Sequence, residues 1–320
     1  MRAAPVGTPP VTVAVVSFQT RQLLLECLAA LRVDADAGRA RVCVVDNGST
    51  DGSVAAVREQ VPWAEVIIPE RNLGFGAAVN LVAERSAGPW LLTANADTAV
   101  HPGAIARLVA AGAADPRAGA VAPRLILPGG ATQHSVGPLP TLALAVTFAL
   151  GAHRLSPRLA DRLCLDDHWD PNRPRVVPWA VGACLLLRRA AFDAVGGFDA
   201  RQWMYAEDLD LGWRLRDAGW VTRYEPGATV SHASAAATGP AFGAGRRRRA
   251  MAATYEVIAR RRGPVSARMT AAVNLVGTAA RVGWMAPTAL VAPGRRDTVR
   301  DTWGWLAAHR EGLAIRRPNR

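Results

Sequence analysis

The chain contains no lysine. All 38 of its basic residues are arginine, and against 26 acidic residues they leave a formal charge of +12. An arginine surplus suits genome composition, nucleic acid or an anionic membrane surface, and its placement helps to separate these. Arginine runs occupy residues 246–249 and 260–262, with further pairs at Arg295-Arg296 and Arg316-Arg317, while the first half is closer to balance. Cysteine is sparse. Cys27, Cys43, Cys164 and Cys184 are scattered, without the paired spacing of a zinc or redox motif. Three of them lie in apolar runs, so buried thiols in a reducing compartment are expected. Long apolar runs are missing too. Residues 11–18 are too short for a secretory signal and have strand character. Residues 269–292 are broken by Asn274, Arg281 and Pro287 and fail as a spanning helix. A cytoplasmic protein is expected, with the inner face of the cell membrane as a candidate docking surface. No internal repeat is visible.

What is present is a sizeable core. The 320 residues are 50% hydrophobic, enough for one large domain with an appendage. Residues 11–18 are a β-branched run that predicts a buried strand, and Leu23, Leu24, Cys27, Leu28 and Leu31 recur at helical spacing behind it. Further strands are predicted at 42–46, at 66–68 and in the stretch 90–98, which ends in a loop presenting Asp97, followed by helices at 54–60, 77–85 and 104–114. This alternation argues for an α/β fold with a doubly wound, mostly parallel sheet flanked by helices. Ser17, Asp46, Asn72 and Asp97 fall at successive strand ends. In such sheets ligands bind outside the carboxyl ends of the strands. Each of the four is a common turn former, and Asp97 alone reads more readily as a helix cap. Gathered at four strand ends, they point to a nucleotide crevice.

The second half changes character. Residues 121–127 predict a strand, and 139–150 form either a core helix or an interfacial one. Residues 177–187 are another strand candidate, with Trp179 near its start, and 190–196 a short helix. A helix follows whose first turn carries Glu207, Asp208 and Asp210 behind the bulky Trp203-Met204-Tyr205. Three carboxylates there can simply complement the helix dipole. Beside aromatic residues that would wall a pocket, one of them is instead placed for general-base work. Two short closing strands are predicted at 221–224 and 228–232. His232, at the end of the second, is either a metal ligand or a satisfied loop histidine; His153 and His309 read as surface residues. From about residue 239 the composition turns to alanine, glycine and arginine. The expected organisation is a tail (1–10), a domain (11–238) with halves at 11–115 and 116–238, and a basic helical C-terminal extension (239–320).

In order, the segments VVSFQTRQLLLECLAAL, VVDNGSTDGS, ERNLGFGAAVN, LLTANADT, VGACLLLRRAAFDAVGGFD, WMYAEDLDLGWRLRDAGW and VSHAS resemble the family 2 glycosyltransferases of the GT-A fold. The resemblance spans residues 11–238 and is closest to the bacterial rhamnosyltransferase branch. It implies that Ser17 and Phe18 contact the nucleoside, and that Asp46, with Asn47 and Ser49, recognises the base. Arg71 and Asn72 form the donor-side loop. The segment from Gly74 to Asn80 brings a helix N-terminus towards the phosphates. Asp97 matches the last carboxylate of the DXD motif, which holds Mg²⁺ or Mn²⁺, and His232 completes the metal shell. Asp208 matches the catalytic base. Trp179, Gly182, Trp203, Tyr205 and Glu207 lie near the sugar and acceptor. Many relatives have Asp where this chain has Asn95; Asn95 can hydrogen-bond the donor or a metal-bound water but brings no charge.

The implied enzyme is an inverting, metal-dependent glycosyltransferase. Its donor would be a dTDP- or UDP-type nucleotide sugar, with dTDP-rhamnose favoured. Its acceptor would be a polyprenyl-diphosphate-linked or other cell-envelope saccharide. Galactofuranosyl and mannosyl transfer are the competitors within the class. A basic, tryptophan-bearing extension suits an anionic membrane, and it equally suits a solvated helical bundle. A nucleic-acid-binding protein is disfavoured, because arginines and aromatics are not interleaved on any strand and no recognised motif appears. A non-catalytic nucleotide-sugar or glycan-binding relative is disfavoured by the intact Asp97, Asp208 and His232. The missing lysine and the lack of a glycine- and lysine-rich loop count against a nucleotide-sugar pyrophosphorylase.

Overall fold

The computed structural model describes residues 10–165, 168–233, 245–291 and 296–315. The expected boundary at 238–239, Ser234, Arg295, Arg316, Arg317 and all but the last residue of the N-terminal tail lie outside the described residues. The chain divides into two compact units. One comprises residues 1–138, 170–203 and 207–240, the other 139–169, 204–206 and 241–320.

The first unit opens with β1 (Val11–Ser17), α1 (Arg21–Asp36), β2 (Ala40–Asp46), α2 (Ser53–Gln60), β3 (Glu65–Ile67), α3 (Phe75–Glu84) and β4 (Trp90–Asn95). These strands form a parallel block in the order β3-β2-β1-β4. Their β-branched and leucine side chains are buried on both faces, as a sheet covered by helices on two sides requires. The expected alternation is present. Beyond it the chain runs through β5 (Thr98–Val100), α4 (Ala104–Ala114), β6 (Ala118–Ile126) and β7 (Val136–Gly137) before leaving for the second unit.

In the second unit α5 (Leu142–Ala149), a 3-10 turn (Ala152–Leu155) and α6 (Pro157–Arg162) come first. The chain then returns to the sheet with β8 (Arg175–Val177), β9 (Trp179–Ala180), β10 (Cys184–Arg188), α7 (Arg189–Ala194), α8 (Glu207–Asp217) and β11 (Val221–His232). Strand β10 enters antiparallel between β4 and β6; β11 is parallel to β6 and antiparallel to β5 and β8. The result is a nine-stranded mixed sheet, with β7 and β9 paired separately. The strand expected over 177–187 is thus three pieces. Pro178 has no N–H to donate, and the chain loops at Gly182-Ala183 before β10 begins. The two expected closing strands are one, β11, whose register slips between Glu225 and Thr229 across Pro226-Gly227.

The C-terminal part of the second unit is helical: α9 (Arg246–Arg262), α10 (Pro264–Val291) and α11 (Arg296–Leu313). No helix among the described residues is long and apolar enough to cross a membrane. His309 is buried rather than at the surface. Tyr255 Oη stands 2.8 Å from His309 Nδ1, and Asn274 donates to Tyr255 Oη at 3.1 Å. His153, also expected at the surface, is buried too, its ring 4.9 Å from that of Phe148. His309 is buried through a pairing with Tyr255 and His153 through its ring contact with Phe148, neither of which single-residue hydropathy reveals. All four cysteines are buried and outside any disulfide; burial was expected for the three in apolar runs.

The seam between β4 and β10 is closed by a side chain. Thr93 is fully buried, donates from Oγ1 to Gly182 O at 2.7 Å and accepts from Leu185 N at 3.0 Å. It satisfies two backbone groups at the loop that opens β10. Thr93→Val keeps the shape and strands both groups, so the unfolding free energy should fall by about 1–3 kcal/mol. The readout is a lower urea midpoint at unchanged m.

Candidate active site

The carboxyl ends of β1, β2 and β4 are level, with Ser17 opposite Asp46 and Val16 opposite Asn95. Loops leaving these ends are laced together by backbone-directed hydrogen bonds. Asp46 Oδ1 accepts from Gly48 N at 3.1 Å and Ser49 N at 2.7 Å, while Oδ2 is buried and has no partner. A buried carboxylate oxygen left open in this way awaits a donor from a ligand. Ser17 is buried with its Oγ 3.3 Å from Thr20 Oγ1, and Phe18 is partly exposed beside it. Ser49 Oγ accepts from Gln19 N at 2.8 Å, so its hydroxyl ties the first loop to the second. Gln19 holds a left-handed backbone, φ 54°, to make that contact.

Asn47 reaches the third loop. Its Oδ1 accepts from Leu73 N at 3.1 Å and its Nδ2 donates to Gly74 O at 3.2 Å. Asn72 Oδ1 in turn accepts from Gly74 N at 2.9 Å. Gly74 has φ 77°, and a Cβ there would overlap the carbonyl oxygen of Trp203, so only glycine fits. Arg71 is exposed on the same loop. Asn80 has a part inside the protein. Its amide meets the backbone of Phe198, donating to the carbonyl at 2.8 Å and accepting from the N–H at 2.9 Å. It braces α3 against the segment before α8.

Asp97 lies in the tight turn between β4 and β5, not at a helix start; α4 begins at Ala104 behind Gly103. Strand β5 pairs with the end of β11, Thr98 opposite His232, and Ala233 N donates to Asp97 O at 2.9 Å. The two side chains meet: His232 Nε2 is 3.4 Å from Asp97 Oδ1, each side chain only 6% exposed. The other ring nitrogen, Nδ1, is 2.6 Å from Gln133 Oε1. With Nδ1 as donor, a neutral His232 offers its Nε2 lone pair on the Asp97 side. Two ligand atoms about 2.1 Å from a cation at right angles stand about 3.0 Å apart, so the pair fits a divalent ion. No group of three or more Cys, His, Asp or Glu gathers for a metal among the described residues. Two protein ligands suffice for Mg²⁺ or Mn²⁺ when phosphate oxygens supply the rest. Asn95 sits two residues before Asp97, with its N–H bonded to Ala183 O at 2.8 Å.

That bond brings the loop opening β10 onto the end of β4, and Asp208 joins it there. Gly182 N donates to Asp208 Oδ2 at 2.9 Å, and Leu209 N to Oδ1 at 2.7 Å. Gly182 is closely flanked by Phe75 and by Asp208 itself. Asp208 is partly buried in the first turn of α8, and burial pushes its carboxyl above the ordinary range against the pull of those two amides. Glu207 is raised as well, to about 8, by burial first and then by the charge of Asp208; its Oε2 is buried without a partner. The third carboxylate, Asp210, is structural. It is fully buried on Arg214 at 2.7 Å, and Arg214 Nη1 donates to the carbonyls of Val195 and Gly197, anchoring α8. Trp179 donates from Nε1 to Pro138 O at 3.0 Å and packs where Gly212 leaves α8 without a side chain. Trp203 is 46% exposed, and Tyr205 takes a left-handed φ of 64°. Sequence reading missed Gln133, Gln19 and Thr93. Gln19 and Thr93 stand in the quoted segments and Gln133 in none; all three are uncharged, and each matters through a partner far away in the chain.

Residues 9–253 match the family described as Glycosyltransferase like family 2. The chain is 37% identical over 209 residues to the N-acetylglucosaminyl-diphospho-decaprenol L-rhamnosyltransferase of Mycobacterium tuberculosis, covering 62% of this chain and 68% of that protein. Among solved structures, a mannosyltransferase of Pyrobaculum calidifontis in complex with GDP-Man and Mn²⁺ superposes with a TM-score of 0.56 at 20% identity, over 96% of this chain and 86% of that one. The TarS 1-349 structure from S. aureus gives 0.51 at 14% identity, over 95% and 81%. The mixed sheet with its flanking helices is therefore the GT-A fold, and the chain belongs to the family 2 glycosyltransferases.

Proposed function

We propose that this glycosyltransferase is an inverting, metal-dependent enzyme that transfers L-rhamnose from dTDP-rhamnose to a polyprenyl-diphosphate-linked saccharide. The work would be done on the cytoplasmic side of the membrane, by a catalytic domain at 11–238 with an extension at 239–320. One arrangement carries the mechanism: the Asp97–His232 pair and the Asp208 carboxylate are both tied to the carboxyl end of β4. The similarity to the mycobacterial rhamnosyltransferase supports the sugar and the acceptor.

In this reading Asp46 receives the base of the nucleotide on its open oxygen, with Ser17, Phe18, Asn47 and Ser49 shaping that end of the crevice. Arg71, Asn72 and the N-terminus of α3 at Gly74 face the diphosphate, where positive charge and free N–H groups are needed. Asp97 and His232 would hold Mg²⁺ or Mn²⁺, with Asn95 beside them. The cation would supply neutralisation of the charge that builds on the leaving nucleoside diphosphate. Asp208 takes the proton of the acceptor hydroxyl as that oxygen attacks the anomeric carbon from the opposite side. One displacement inverts the centre, so one carboxylate suffices, unlike the pair used by glycosidases. Burial raises both Asp208 and Glu207, and the charge of Asp208 adds to the rise at Glu207. Gly182, Trp179, Trp203 and Tyr205 are assigned to the sugar and acceptor.

Turnover with dTDP-rhamnose, UDP-galactofuranose and GDP-mannose on lipid-linked acceptors, with each metal and with chelator, tests the reading. Transfer should require dTDP-rhamnose and a divalent ion, and NMR should show an inverted anomeric product. A preference for another donor, or a retained configuration, would refute it. Asp208→Asn should cut kcat by at least about 10²-fold while leaving nucleotide-sugar affinity in place. Gln133→Ala frees the His232 ring and should weaken Mn²⁺ binding to the donor-loaded protein about 10–100-fold, read by EPR titration. Glu207 binds a proton in the folded state between its ordinary range and about 8, where the unfolded chain does not. It therefore lowers stability as pH rises through that window. Glu207→Gln removes the penalty, so its advantage over wild type in urea midpoint should grow from pH 5 to pH 8.

A further inference from the structure

In the second unit α5 ends against α10. A Cβ on Gly277 would come within 2.7 Å of the Cβ of Ala149, so the two helices touch nearly backbone to backbone. One turn later, Arg281 donates from Nη1 to Phe148 O at 3.4 Å and from Nη2 to Thr278 Oγ1 at 3.1 Å. The His153 ring meets that of Phe148 at a tilt, centroids 4.9 Å apart, and Arg154 follows it in the 3-10 turn. Arg154 lies close enough to help burial depress the Arg281 guanidinium. Neither arginine has a carboxylate partner; the ion pairs of the described residues lie elsewhere. His153 and His309 are both pushed down mainly by burial, and Arg281 contributes, so they stay neutral and the positive charge belongs to the two arginines.

Capping the end of α5 accounts for Arg281 but not for Arg154. Arg281 at Phe148 O and Arg154 next to His153, whose ring meets that of Phe148, share one neighbourhood with no carboxylate partner among the described residues, and Arg281 uses only two of its five donors on the protein. An oxyanion would supply the counter-charge and fill those donors. Around the pair, apolar side chains stand in solvent: Leu150 is 77% exposed, Leu155 next to Arg154 is 87%, and Trp284, three residues after Arg281, is 83%. Exposed apolar residues are ordinary singly. Set beside unpaired arginines, with a tryptophan among them, they match the headgroup boundary of a bilayer.

We propose that Arg154 and Arg281 form a binding site for the phosphate headgroup of a membrane lipid, with Leu150, Leu155 and Trp284 entering the acyl boundary beside it. The site is distinct from the arginine runs at 246–249 and 260–262, and it does not rest on the sugar or acceptor assigned above. Flotation of the full chain with phosphatidylcholine vesicles, with and without phosphatidylglycerol, tests it independently of turnover. Binding should need phosphatidylglycerol at physiological salt. Arg154→Gln, on an exposed side chain, should weaken it about fivefold, and the double variant with Arg281→Gln by more than tenfold. Trp284→Ser should also weaken it. Arg58→Gln with Arg85→Gln, which removes the same charge from the first unit, should leave it unchanged. Circular dichroism of each variant separates a lost site from a lost fold, and Arg154→Gln alone decides the matter if Arg281→Gln unfolds. No flotation of the wild type, or an equal loss in the Arg58/Arg85 control, would overturn the proposal. So would tight binding of inorganic phosphate at the pair with Trp284→Ser silent, because the ligand would then be a soluble anion.

Discussion

The loop that opens β10 is the constraint on which the site depends. An antiparallel strand is set beside a parallel one, and the backbone from Gly182 to Cys184 must leave one pairing pattern and enter another. Three contacts absorb the irregularity: Thr93 Oγ1 to Gly182 O, Asn95 N to Ala183 O, and Gly182 N to Asp208 Oδ2. The first is a side chain standing in for a ladder partner. The second fixes the end of β4, and with it the turn that carries Asp97. The third recruits a carboxylate from a helix into the same few ångströms. Misplacing this loop would disturb Asp208, Asn95 and the turn that carries Asp97 together, although none of them belongs to it.

The charge distribution carries a contrast. A chain of net charge +12 keeps its crevice acidic, with Asp46, Asp97, Glu207 and Asp208 at or near the strand ends. The open oxygens of Asp46 and Glu207 are acceptors looking for donors, while Glu207 and Asp208 crowd each other inside the protein. Such a crevice is strained electrostatically until a base, a hydroxyl or a cation answers each carboxylate. Arginines of the first unit have separate tasks: Arg214 anchors α8 through Asp210, and Arg71 is exposed on its loop.

Much of this was legible in the sequence, for identifiable reasons. The parallel block was visible because its strands are apolar on both faces and each is followed by a helix of ordinary period. Helix α4 was placed at its true bounds, since Gly103 and Asp115 mark its ends. The second half was harder to read. Nothing in the leucine run of 185–187 announces an antiparallel entry, and Pro226-Gly227 inside β11 looks like a turn but is a slip in register. Asp210 shares its charge and neighbourhood with Asp208, yet the partner that makes it structural, Arg214, has no special signature. Asn80 stood in a motif that suggested the donor, and its amide serves Phe198. The side chains that orient others, Gln133 above all, were silent because their meaning is a pairing across about a hundred residues of chain.

That pairing also governs when the protein becomes competent. Asp97 is set early in the chain, in the turn after β4, whereas His232 is the last residue of β11, and β11 must slot between β5 and β6 for the two to meet. A nascent chain therefore carries a nearly finished nucleotide crevice long before it carries both cation ligands. Since the contacts that complete the sheet are the most distant in sequence, they are the slowest to form. On the proposed reading, a partly synthesised chain would lack His232 beside Asp97 until β11 has been made.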